Sequence, residues 1–219
     1  SVPNLVDVKL NIVDKSSSLI DLNNKYLNLD GEVIYQYSTN QRTKRINRLK
    51  SNGKKVVIPQ SLSNSSWVNG IGDNTFPIFT NQRTLVGELI VVVEGEKCVE
   101  YLNYKGIGGV SLLGSYTTSI TKIQEAIEVS RSKVPNVKQF LYLYDLDEVG
   151  VKKALVFQQA VWDVKIPCKI FDLRSKLLEP KGYGLDFKRG YDVADYILEF
   201  PDTNLVSVFE NEFRDSSRY

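Results

Sequence analysis

The sequence predicts an α/β fold with a mostly parallel sheet, preceded by a small β-rich basic region. Three observations predict it. Two apolar runs, Leu89 to Val93 and Phe140 to Tyr144, are long enough for buried strands and stop at acidic residues: Glu94 after the first, Asp145 and Asp147 after the second. From Gly87 onward, strand patterns alternate with helical ones, the signature of βαβ units. Before that, no acidic residue occurs between Glu32 and Asp73, while Arg42, Lys44, Arg45, Arg48, Lys50, Lys54 and Lys55 crowd the interval.

The N-terminal residues alternate weakly through Val6, Val8, Leu10 and Ile12 and dissolve into Ser16, Ser17 and Ser18, which predicts a short strand or a tail. Lys25 to Thr39 places two alternating runs around Asp30-Gly31 and predicts a hairpin turning at that dipeptide. Ser51-Asn52-Gly53 marks a second turn. The polar stretch 61–74 reads as a loop carrying Trp67, which either stacks on a base or caps a small core. Residues 1–85 thus form the basic β-rich region, 86–200 the α/β domain and 201–219 a tail or linker.

Within the α/β part, strand Leu89 to Val93 leads to a helix over Glu96 to Tyr104 that Gly106 stops. A short strand over Gly108 to Leu113 and a turn at Gly114 to Thr118 follow. A helix over Ile120 to Arg131 ends before Pro135, and strand Phe140 to Tyr144 leads to a helix over Val151 to Trp162. Val164 to Phe171, with Pro167, reads as a peripheral strand. After Asp172 the chain is loop-like, and Tyr191 to Glu199 reads as a helix whose Asp192 and Asp195 offer either a third carboxylate or an N-terminal cap.

Composition narrows the chemistry. The 219 residues carry 28 Lys and Arg against 26 Asp and Glu and contain no histidine, which excludes His-based triads and His-ligated zinc and leaves oxygen-ligand metals. Cys98 and Cys168 have no zinc spacing and read as small buried hydrophobes. No apolar run is long enough to cross a bilayer and no secretory signal opens the chain, so a cytoplasmic protein is expected. Methionine is absent, so Ser1 is expected not to be a native start and the chain to be a piece of a longer protein.

Functional groups of parallel sheets collect at the carboxyl ends of strands, where Glu94, Asp145 and Asp147 fall. A spacing of two aims Asp145 and Asp147 the same way, so that they converge on one cation. The basic run reads equally as a phosphate-binding face and as a solvated hairpin that keeps the protein soluble.

The segment VVVEGEK, with Glu94 closing a strand, Tyr144 to Gly150 (YDLDEVG) and the late segment GYDVADYI together resemble the TOPRIM fold shared by bacterial-type primases, topoisomerases and some nucleases. The resemblance covers residues 87–199, and its wording is most similar to the TOPRIM primases of phages, plasmids and primase-helicase fusions. The chain departs from that pattern at Cys98, where an acid often follows EGEK, at Leu113-Gly114-Ser115, where Pro-Gly-Gly is common, and in lacking a zinc-binding segment.

The resemblance implies a Rossmann-like sheet with helices on both faces. It implies Mg²⁺ or Mn²⁺ held by Asp145 and Asp147, with Glu94 joining them or acting as general base and Asp192 as an extra ligand. Lys97 and the basic residues Arg42, Lys44, Arg45, Arg48 and Lys50 are the implied nucleic-acid contacts. The implied activity is DNA primase: metal-dependent nucleotidyl transfer that makes short primers on single-stranded DNA during replication. Its partners would be template, nucleotides and a replicative helicase in cis or in trans, with no membrane. The alternatives are a TOPRIM nuclease using the same metals and a non-catalytic module that binds nucleic acid or a helicase.

Overall fold

The structure, a computed structural model, describes residues 9–13, 18–49 and 51–216; Val6, Val8, Ser16, Ser17 and Lys50 lie outside them. The described residues form two four-stranded sheets, one antiparallel and one parallel. The first begins after helix α1 (Leu19–Leu27), where the side chain of Ser18 accepts a hydrogen bond from the amide of Asp21 and caps the helix. Leu22 and Tyr26, four residues apart on α1, are buried together. This corrects the expected hairpin at Asp30-Gly31, because its first arm is helical and the dipeptide only turns α1 into β1 (Glu32–Ser38).

The true hairpin joins β1 to β2 (Gln41–Ile46), with Ser38 opposite Gln41. Val33, Tyr35 and Tyr37 alternate into the core, as a half-buried strand requires. The second turn expected at Ser51-Asn52-Gly53 is present, with Gly53 in the left-handed region, and leads to β3 (Val56–Ser63). A further correction concerns the polar loop. It folds as a hairpin of β3 with β4 (Ser66–Asn69), turning on Asn64 and Ser65, both at positive φ (48° and 64°), the two-residue turn that matches strand twist.

The parallel sheet has the order β6-β5-β7-β8. Its centre is β5 (Leu89–Val93) and β7 (Gln139–Leu143), buried at every residue and in register from Leu89 opposite Gln139 to Val93 opposite Leu143. Such runs suit strands covered on both faces. Leu10 bridges to Leu89, and the buried Asn11 side chain donates to the carbonyl of Leu89 (2.9 Å) and accepts from Gly87 N (2.6 Å), so this part of the N-terminus is fastened to the start of β5.

Helix α2 (Glu96–Tyr104) follows β5, and the short strand β6 (Gly109–Val110) covers only the second and third residues of the expected 108–113 strand. Helix α3 (Ile120–Val129), capped by Ser119, leads to β7. Helix α4 (Glu148–Asp163) begins three residues earlier than the periodicity suggests, because Asp147 caps it. It closes on Lys165, at φ 66°, so the edge strand β8 starts only at Cys168 and runs to Phe171.

Chain order runs from β5 outward to β6 and then back across to β7 and β8, so right-handed crossovers place α2 on one face and α3 and α4 on the other. Helix α5 (Val193–Glu199) packs on α2. This is the α/β fold with helices on both faces that the sequence predicts. The segment after Pro201, expected as a tail or linker, forms helix α6 (Leu205–Ser216), whose Phe209 meets Phe171 edge-on (5.4 Å) and whose Glu212 pairs with Lys169 (3.1 Å). Both cysteines are free and buried, as expected. Among the described residues no helix is long and apolar enough to cross a membrane.

The two sheets meet through buried carboxylates of α2. Tyr37 and Thr43 donate to Glu96 Oε1 (2.6 and 3.0 Å), Tyr26 donates to Glu100 Oε2 (3.0 Å), and Lys25 pairs with Glu100 Oε1 (2.7 Å). Lys133 donates to the carbonyls of Tyr37 and Ile78, adding a second link.

Candidate active site

Strands β5 and β7 are neighbours whose following loops depart to opposite faces of the sheet, and between two such strand ends an α/β sheet opens a crevice. Glu94 stands at the end of β5. Gly95, at φ 91°, turns the chain from it into α2, a backbone angle that favours glycine. Across the crevice, Asp145 N donates to Glu94 Oε2 at 2.5 Å. The pair retains a proton above the ordinary carboxylate range. Burial is the main cause for both, and it pushes Asp145 up to about 9 with help from the nearby charges of Glu94 and Asp192.

The Glu94 side chain is 7 % exposed, and its Oε1 has no hydrogen-bond donor among the described residues. Its ion-pair partner is Lys153, whose Nζ stands 3.9 Å away on the second turn of α4. A buried oxygen without a donor costs free energy unless a cation meets it.

The other acids sit nearby in different employment. Asp147 Oδ1 accepts from Gly150 N (2.6 Å) as the cap of α4, which leaves Oδ2 outside the cap. Gly150 is there because a Cβ would lie 2.1 Å from the carbonyl oxygen of Asp145. Asp192 caps α5 in a reciprocal box with Asp195 (2.9 Å each way), the capping alternative the sequence offered, and Lys188 pairs with Asp195 (2.9 Å). Burial, then Asp195, raises the Asp192 carboxyl. Leu146 N donates to Tyr191 O and Gly190 N to Leu146 O, and this bridge brings the late segment beside Asp145.

Among the described residues no three His, Cys, Asp or Glu side chains are grouped tightly enough to hold a metal ion as they stand. Glu94 and Asp145 are brought together, whereas Asp147 and Asp192 spend an oxygen each on a helix terminus. The pair nevertheless fits a hard cation: its donors are all oxygen, one of them lacks a partner, and the groups otherwise hold a proton against their usual preference.

Facing the carboxylates is a cleft of about 440 Å³ between the two sheets. Arg45, Lys55, Lys97 and Lys153 line it together with Glu94 and Asp145. Tyr26 organises two of these cations, with the guanidinium of Arg45 4.9 Å from its ring centre and Lys97 Nζ at 5.4 Å. Arg45 also donates to Asn47 Oδ1, and Asn47 is held in turn by the carbonyls of Lys25 and Asn28.

The basic run is therefore divided. Strand alternation turns Arg45 toward the cleft and Arg42 and Lys44 toward the far face of the sheet. Arg42 stacks on Trp67 (4.2 Å) and donates to Gln60, so Trp67 is an arginine platform on that face. Arg48 pairs with the exposed Asp30 at 3.6 Å. Sequence reasoning missed Tyr26, Asn47 and Lys153, since only the register of β2 and the docking of α1 reveal the first two. For Lys153, the signal was its position six residues after Asp147, on the helix that the D-x-D segment starts.

No family model matches the chain, and no curated protein is similar to it. Among solved structures it is similar to a DNA primase domain from Pseudomonas aeruginosa, at 17 % identity over 76 % of this chain and 49 % of that one, with a TM-score of 0.43. It is also similar to the primase fragment of the bacteriophage T7 primase-helicase (14 % identity, 95 % of this chain, 79 % of that one, TM-score 0.43). A third is the Aquifex aeolicus primase with its zinc-binding and RNA polymerase domains (13 %, 91 % and 50 %, TM-score 0.40). The chain spans about half the length of the Pseudomonas aeruginosa chain it matches.

Proposed function

We propose that the chain is the catalytic module of a DNA primase, carrying out metal-dependent nucleotidyl transfer that starts short primers on single-stranded DNA. The observation that supports this most is Glu94 Oε1, buried and without a donor among the described residues, beside Asp145 at the carboxyl ends of two central strands and in a cleft lined by Arg45, Lys55 and Lys97. That arrangement pairs a cation-seeking acidic floor with an anion-seeking wall, as phosphoryl transfer requires.

In this reading Glu94 and Asp145 hold Mg²⁺ or Mn²⁺, with Asp147 Oδ2 and Asp192 at the margin as further ligands. When bound, the ion supplies charge neutralisation at phosphoryl oxygens and activates an attacking hydroxyl. Arg45 and Lys97 hold phosphates from the cleft lining, and Tyr26 keeps both of them in place. Burial of Glu94 and Asp145 excludes water from the acidic side and strengthens every charge interaction there. Arg42, Lys44 and Arg48 extend nucleic-acid contact beyond the cleft, and Lys50 is a further contact of this reading. Template, nucleotides and a replicative helicase are the partners of this reading, and the cytoplasm its compartment.

The test is incubation of the protein with a single-stranded template, labelled nucleotides and Mg²⁺ or Mn²⁺. Labelled products longer than the input nucleotide support a primase. Shortened oligonucleotides reassign the same site to a nuclease, and binding without either change assigns the chain to a non-catalytic module.

A further inference from the structure

The cleft holds one cation that the acidic pair itself selects. Lys153 rises from the second turn of α4, its side chain 27 % exposed, and its Nζ stands 3.9 Å from Glu94 Oε1. That distance is too long for a hydrogen bond and short enough for a strong charge interaction, so among the described residues Glu94 Oε1 has a counter-charge but no donor. The base of the lysine is fixed, because the Asp147 cap and the close approach of Gly150 to Asp145 lock the start of α4 against the loop that carries Asp145. Its stem, by contrast, has four methylene groups and turns freely. The preceding residue, Lys152, has the same charge but is exposed and forms no ion pair with Glu94.

Resting on the reading of Glu94 and Asp145 as a cation-holding pair, we propose that Lys153 is the resident counter-cation of that pair. It balances Glu94 while no divalent ion is bound and yields the carboxylate when one enters. Two cations cannot share a single buried carboxylate oxygen without repelling each other, so the lysine must swing away as the ion arrives. The protein thereby keeps its acids in place without metal, and it binds metal more weakly than the bare pair would. Lys153 acts in this way as a positioning residue that sets the divalent-ion concentration at which the site fills.

The experiment is direct Mn²⁺ binding to the whole chain, read from loss of the free-Mn²⁺ paramagnetic resonance signal. It compares the unsubstituted protein with Lys153→Gln, Lys153→Arg and Lys152→Gln, each first checked by thermal unfolding. Lys153→Gln is expected to bind Mn²⁺ about tenfold more tightly, since it removes a positive charge next to a ligand. Lys153→Arg, which keeps the charge, and Lys152→Gln, which removes an exposed, solvent-screened one, are expected to stay within about twofold of the unsubstituted protein. Equal affinity for Lys153→Gln and the unsubstituted protein overturns the role of Lys153 and leaves the carboxylate pair standing. Absence of Mn²⁺ binding in all four proteins overturns the carboxylate reading and this proposal with it. Should Lys153→Gln fail to fold, Lys153→Met carries the same comparison with an unbranched stem.

Discussion

At the scale of single residues, the candidate site is a pair of acids under stress. Asp145 holds its proton to about pH 9, chiefly because it is buried and then because Glu94 and Asp192 lie near, while in the unfolded chain it ionises in the ordinary carboxylate range. Between those limits the folded state binds a proton that the unfolded state does not, so the contribution of this group to stability falls as pH rises. Without divalent ions, the melting temperature is therefore expected to decline from pH 5 toward pH 9. On the proposed function Mn²⁺ competes with that proton, so the rise in melting temperature it produces should be larger at pH 8 than at pH 6. Scanning calorimetry at the two values, with and without Mn²⁺, checks both signs. On the same reading Asp145→Asn should lower metal-dependent turnover roughly a hundredfold or more, because losing a proposed ligand removes several kcal/mol of charge stabilisation. The same change relieves carboxylate repulsion, so its unfolding midpoint in urea should equal or exceed that of the unsubstituted protein. A variant that still turns over at full rate would remove Asp145 from the chemistry.

At the scale of elements, Asp147 serves its helix and is also a candidate ligand, and two substitutions separate these roles. Asp147→Ala removes the cap and should cost about 1 kcal/mol in urea unfolding, whereas Asp147→Asn caps nearly as well and should cost little. Both should reduce metal-dependent turnover if the second oxygen reaches the ion. Gly150→Ala should destabilise by about 3 kcal/mol, since the new methyl would meet the carbonyl of Asp145. At an unobstructed helix position the same change stabilises by about 1 kcal/mol, so the sign itself reports the close approach. The strands that carry the acids were legible in the sequence because β5 and β7 are buried on both faces and read as unbroken apolar runs. The antiparallel sheet was less legible for a related reason. Only β1 and β2 bury every second residue, and β3 and β4 are largely open and carry serines and asparagines that look like a loop until the positive φ of Asn64 and Ser65 reveals the turn. Helix α1 escaped because Lys25 to Leu27 extends the alternation of β1, while the helical spacing of Leu22 and Tyr26 starts before it. The capping role of Asp192 was legible, whereas the division of the basic run between two faces was not. That division depends on the register of β2 against β1 and β3, which no local pattern specifies.

At the scale of the whole molecule, the cleft exists only because two sheets are held at a fixed separation. The phenols of Tyr37 and Tyr26 reach Glu96 and Glu100 across the junction, and burial keeps both phenols protonated and able to donate. Tyr37→Phe should cost about 1 to 3 kcal/mol, because it leaves a buried carboxylate with only the hydroxyl of Thr43. Urea unfolding followed by tyrosine fluorescence and by circular dichroism should give one coincident transition for the unsubstituted protein, since neither sheet can lose the other without stranding a charge. The second acid of the EGEK segment is thus architectural, although it lies two residues from the catalytic candidate. A consequence concerns inheritance. A chimera that grafts a foreign N-terminal sheet onto this parallel sheet at residue 85 would present two acids to a surface that never evolved to receive them, so the tyrosine pattern and the EGEK helix can be exchanged only as a pair.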